Sequence, residues 1–155
     1  MRIIDVHTHP IFFGDGRRES ETEALVAHGR SLGIERMISL GDVLRYGPRP
    51  DAAQLRRLNN ESARLQKLHP DYFVGFCYLN PLLGEKAVMQ EAERCATQFG
   101  FKGIKLEIAN NASHTCMKHI MKAARTFGYV VLQHSWSSTN FGPEARDHSD
   151  PDDTT

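Results

Sequence analysis

The chain has no long apolar run. No stretch approaches the roughly 20 residues that a membrane span requires, and the N-terminal run is broken by Asp5, His7 and His9, where a secretory leader would be uniformly apolar. An excess of one charge is missing too: 19 Lys and Arg residues balance 19 Asp and Glu. That balance leaves no electrostatic footprint for nucleic acid or an anionic membrane. Cysteine is scarce. Cys77, Cys95 and Cys116 are odd in number and lie in unrelated surroundings, which favours reduced thiols over a disulfide framework. No Gly-x-Gly-x-x-Gly or Walker sequence occurs, and Gly14-Asp15-Gly16 lacks the strand-to-helix setting of a phosphate loop. These absences point to a cytoplasmic globular protein whose partner is a small molecule, with no nucleic acid and no membrane.

What is present is a repeating pattern. Of the 155 residues, 40% are hydrophobic and 25% charged, the make-up of one folded domain over residues 1–155. Apolar, β-branched segments recur near residues 2–7, 34–40, 72–79, 101–108 and 129–134, with helix-like stretches between them, so the order is that of a parallel α/β sheet. Ser20-Glu21-Thr22-Glu23 reads as a capping box, and the helix it opens should stop at Gly33. Asp51 with Gln54 predicts a second helix whose apolar side carries Leu55, Leu58, Leu65 and Leu68. A third is expected over about Glu85 to Phe99 and a fourth over about His114 to Phe127, capped by Ser113 and closed by Gly128.

Strand starts separated by about 30 residues match the unit of a (β/α)8 barrel, which needs about 250 residues to close. The expected fold is therefore an incomplete barrel of about five parallel strands alternating with helices. Asp150-Pro151-Asp152-Asp153 reads as a helix start close to Thr155, so the sequence is expected to be the N-terminal part of a longer barrel. The alternative is a complete five-stranded doubly wound domain. Residues 137–155 are expected to form a polar, flexible C-terminal segment.

Asp5-Val6-His7-Thr8-His9 closes the first strand. Residues two apart in a strand share a face, so His7 and His9 can grip one ion, with Asp5 one step deeper on the same side. A divalent ion on nitrogen ligands with an open position activates water near neutral pH, which points to metal-assisted hydrolysis or a related lyase reaction. The fifth strand delivers His134 at its C-terminal end, the reactive rim of parallel α/β folds, where it can join His7 and His9. The alternative is a loop histidine bonded to backbone. On the fourth strand Ile104, Leu106 and Ile108 form the helix-packing face, leaving Gly103, Lys105 and Glu107 to look into the barrel. Lys105 and Glu107 can pair structurally, move a proton, or bind: Glu107 a metal, Lys105 a substrate carboxylate. Trp136 follows His134 and is a second candidate for placing substrate. Cys116 and His119 lie three apart on one predicted helical face, a pattern more often packing than ligation.

These residues resemble those of the metal-dependent amidohydrolases of the TIM-barrel type, in the branch that includes amidohydrolase-related decarboxylases. The matching pieces are Ile4-Asp5-Val6-His7-Thr8-His9, Gly100-Phe101-Lys102-Gly103-Ile104-Lys105-Leu106 and Val131-Leu132-Gln133-His134-Ser135. The resemblance implies zinc or a similar divalent ion held by His7, His9 and His134. It also implies a further histidine after a sixth strand and an aspartate after an eighth, neither of which the 155 residues contain. The leading expectation is a metal-dependent hydrolase acting on a small organic substrate, with Glu107 and Lys105 catalytic and Lys105 and Trp136 substrate-binding. The alternatives are a carboxy-lyase, and a non-catalytic half barrel or small α/β binding protein. Open sheet edges would favour pairing with another copy.

Overall fold

The computed structural model describes residues 2–10, 19–42, 45–47, 49–107 and 111–135. Within them run β1 (Ile3–Thr8), α1 (Glu19–Ser31), β2 (Ile34–Ser39), α2 (Ala52–Leu68), β3 (Phe73–Tyr78), a 3-10 turn (Pro81–Leu83), α3 (Glu85–Phe99), β4 (Gly103–Leu106), α4 (Met117–Phe127) and β5 (Val130–Gln133). The strands lie in the order β1-β2-β3-β4-β5 and every neighbouring pair is parallel. A doubly wound sheet reverses its direction of growth at a switch point. This one never does, so the five strands are a half barrel.

Local chemistry explains most boundaries. Asp51 caps α2 by accepting from the Gln54 N–H at 2.8 Å, and the Gln54 side chain accepts from the Asp51 N–H at 2.8 Å. Gly100 and Gly128 end α3 and α4 at φ 66° and 68°, a left-handed turn that sends the chain directly back into a strand. Two expected starts are corrected. The helix α1 already includes Glu19, so Ser20 lies within it rather than at its cap, with Glu19 and Glu21 favourably placed in the first turn. The helix α4 begins at Met117, three residues after the expected His114, because Ser113 is taken by a tight turn: the Asn111 side-chain oxygen accepts from the Ser113 N–H at 2.8 Å and from its hydroxyl at 2.6 Å.

The main core lies between the helices and the sheet. Ile104 and Leu106 are fully buried there against Val88 and Ala92 of α3 and Ile120 of α4. Leu55, Leu58 and Leu65 of α2 are buried as their spacing predicts, whereas Leu68 in the last turn is 38% exposed. Ile108 lies outside the described residues. The strands β2 and β3 pair only from Met37–Phe73 to Ser39–Gly75. Beyond that point they part, and α2 fills the gap with Asn59, which bonds to both backbone groups of Tyr78.

Candidate active site

His9, Glu107 and His134 directly follow the C-terminal ends of β1, β4 and β5. The register of β1 slips between Asp5, opposite Met37, and Thr8, opposite Ser39, so three steps along β1 answer two along β2. Matched positions share a face, and Met37 packs with Val26 and Leu65 on the helix side. The extra residue therefore separates Asp5 from the histidine face, which corrects the expectation of one continuous face. Asp5 accepts a hydrogen bond from the His7 backbone N–H at 3.0 Å; it fixes the main chain rather than an imidazole.

His7 and His9 lie with ring centroids 5.1 Å apart, and His134 approaches His7 edge-on at 6.2 Å. The His9 Nδ1 sits 2.7 Å from the Gly41 carbonyl oxygen. His134 continues the β4–β5 ladder through its backbone N–H to the Leu106 carbonyl at 3.0 Å, and its Nδ1 lies 3.2 Å from Glu107 Oε1. Glu107 Oε2 in turn lies 3.6 Å from Lys105 Nζ. Lys105 is 0% exposed and Glu107 3%, so the inward placement expected for β4 holds for both.

Burial is the main cause lowering the His7 and His134 pKa values, and the nearby Lys105 charge acts in the same direction on both; Glu107 opposes. Both rings are thereby favoured as neutral imidazoles, the form that ligates a cation. Burial also lowers the Lys105 ammonium, against the pull of Glu107.

Three imidazoles beside a buried carboxylate match a divalent cation in donor chemistry. The rings converge without closing: among the described residues no three His, Cys, Asp or Glu side chains form a finished metal cage. Trp136 and residues 137–155 lie outside the described residues. Cys116 and His119 do not meet as a helical pair. Cys116 precedes α4, with its Sγ 2.9 Å from His114 Nδ1, while His119 Nδ1 lies 3.6 Å from Glu85 Oε2.

The sequence reading missed the Gly41 carbonyl that anchors His9. Its only sequence signal is Gly41-Asp42 directly after an apolar strand, a place where a glycine at φ 72° lets the chain turn.

No protein-family model matches the chain, and no curated protein matches its sequence. Solved structures do match. A 2,6-dihydroxybenzoate decarboxylase from Rhizobium superposes with a TM-score of 0.70 at 18% identity, covering 91% of this chain and 51% of its own. A Staphylococcus aureus protein provisionally classed as an amidohydrolase gives 0.71 at 17% identity, with 88% and 48% covered. A 5-carboxyvanillate decarboxylase from Novosphingobium aromaticivorans, solved with bound manganese, gives 0.64 at 20% identity, with 78% and 39% covered. The chain thus spans about half the length of the structures it matches. Its fold is that of half a (β/α)8 barrel. No helix of the described residues is long and apolar enough to cross a membrane.

Proposed function

We propose that this chain forms the N-terminal part of a metal-dependent enzyme of the amidohydrolase type, acting on a small carboxylated organic substrate. The observation that carries the reading is the convergence of His7, His9 and His134 at the strand ends, with centroids 5.1 and 6.2 Å apart, above a buried Lys105 and Glu107. His7, His9 and His134 would hold the ion. A divalent ion there supplies Lewis acidity, polarising a substrate oxygen or water. His9 contributes a ring already fixed by the Gly41 carbonyl. Glu107 keeps a negative charge close beneath His134, and Lys105 limits the cost of burying it.

Decarboxylation is favoured over hydrolysis. Two of the structures with this fold are decarboxylases of aromatic carboxylates, and fold likeness adds a preference rather than an assignment. Manganese, bound in one of those structures, joins zinc as the first ion to try. The three free thiols of Cys77, Cys95 and Cys116 suit a cytoplasmic location. Trp136 is kept as a candidate for placing substrate.

The test is a calorimetric titration of the chain with Mn2+ and with Zn2+. Binding of about one ion per chain, weakened by His7→Ala and by His134→Ala, is the expected result. Equal affinity in wild type and both variants would overturn the reading.

A second reading is favoured by one observation: the outer strands expose Ile4 (56%), Val6 (54%) and Val130 (65%). The chain would then be an assembly unit that self-associates through its sheet edges.

A further inference from the structure

Two of the three site imidazoles turn Nδ1 toward an oxygen acceptor, His9 in a hydrogen bond and His134 at ion-pair distance. The His9 Nδ1 lies 2.7 Å from a carbonyl oxygen, that of Gly41. The His134 Nδ1 lies 3.2 Å from Glu107 Oε1. A carbonyl and an ionised carboxylate can only accept a hydrogen bond, so each favours a proton on the Nδ1 it faces. The neutral ring then presents a bare Nε2.

Glu107 is well placed for this task and poorly placed for others. It is 3% exposed, and it follows β4, whose last residue, Leu106, accepts the backbone N–H of His134. Backbone ladder and side chain therefore fix His134 together. A carboxylate so deeply buried needs a countercharge, and the ammonium of Lys105, 0% exposed and 3.6 Å away, supplies it. An ammonium fully covered in this arrangement balances Glu107 rather than reaching out to a substrate.

We propose that Glu107, charge-balanced by Lys105, is a positioning residue that holds His134 as its Nδ1–H tautomer and aims its Nε2 into the site, as the Gly41 carbonyl does for His9. This deepens the reading of the histidine cluster given above and rests on it. It replaces two sequence expectations: Glu107 as a direct metal ligand and Lys105 as the contact to a substrate carboxylate. A carboxylate partner also makes the distal nitrogen more basic, hence a better donor to a cation.

The experiment is long-range proton–nitrogen correlation NMR on metal-free chain labelled with nitrogen-15 at histidine, recorded at a pH where the rings are neutral. His134 should show Nδ1 protonated and Nε2 bare. In Glu107→Ala it should relax to the tautomer mixture of a free imidazole, while in Glu107→Gln the side-chain carbonyl still accepts and the Nδ1–H form should persist. Protonated Nε2 in the wild type, or the same tautomer in wild type and Glu107→Ala, would overturn the proposal. If Glu107→Ala fails to fold, the wild-type spectrum and Glu107→Gln still decide it. A second arm titrates Mn2+, with Glu107→Ala expected to bind roughly 10- to 100-fold more weakly than wild type. Equal affinity for these two would also overturn the proposal. The predicted tautomers with no metal bound by any variant would uphold the positioning role and remove the metal reading instead.

Discussion

Asn59 of α2 takes the place of a strand neighbour for Tyr78: its side-chain oxygen accepts from the Tyr78 N–H at 2.8 Å, and its amide donates to the Tyr78 carbonyl at 3.1 Å. The same amide donates to Glu91 Oε1 at 2.8 Å, and Glu91 is clamped by Arg94. A helix side chain thus closes the ladder where β2 and β3 diverge, and it ties the sheet to α3.

Replacing Asn59 with Leu should therefore cost more than a lost contact. It strands a buried N–H and a buried C=O, each worth about 1–3 kcal/mol when unsatisfied. Urea denaturation should show a loss of about 2–4 kcal/mol, and an unchanged midpoint would refute the strand-substitute role.

Gly103 faces Phe76 across the β3–β4 ladder, and a Cβ added there would lie 2.5 Å from two ring carbons. Gly103→Ala should destabilise the chain by about 1–3 kcal/mol through overpacking. The double variant with Phe76→Leu should recover much of that loss, and thermal melts of the single and double variants check it. Equal melting of Gly103→Ala and wild type would show that the ring moves freely.

Alkaline pH should weaken the fold. Burial holds the Tyr78 and Tyr129 hydroxyls protonated well above their ordinary value of 10, with the Glu107 charge adding to the effect at Tyr78. Tyr129 also donates to the Ala92 carbonyl at 2.9 Å. In the unfolded chain both ionise near 10, so the unfolded state gains relative to the native state as pH climbs past that value. Stability should be flat below pH 10 on account of these groups and should fall above it. Tyr129→Phe should make the fall shallower in denaturant melts recorded across that range, and identical slopes would sink the assignment.

Self-association has a defined address. Among the described residues β1 pairs only with β2 and β5 only with β4, and they carry the exposed Ile4, Val6 and Val130. Ile4→Glu combined with Val130→Lys should shift sedimentation toward the monomer by covering the apolar edges with charge. If the wild type sediments as a monomer at all concentrations, the assembly-unit reading falls.

Legibility in the sequence followed the range of the interactions. The capping pair Asp51 and Gln54, the turns at Gly100 and Gly128, and the alternation of Ile104, Lys105 and Leu106 are local, so they could be read directly. Ser113 has the residue type of a helix cap, but Asn111, two residues earlier, accepts from both of its donors instead. Period-two strand alternation puts Asp5 with the histidines, and a single extra residue opposite β2 undoes that. The Gly41 carbonyl was invisible, since every residue has one and only the fold aims it.

By itself the sequence determined the order of strands and helices, since periodicity and end signals act over a few residues. It also chose His7, His9 and His134 as the groups to watch, because strand ends can be located without knowing how strands pair. The tertiary structure alone decided that the sheet grows in one direction, that His7 and His134 stand 6.2 Å apart, and that Glu107 lies between Lys105 and His134. Those outcomes depend on register and on contacts between different strands, which no local pattern encodes.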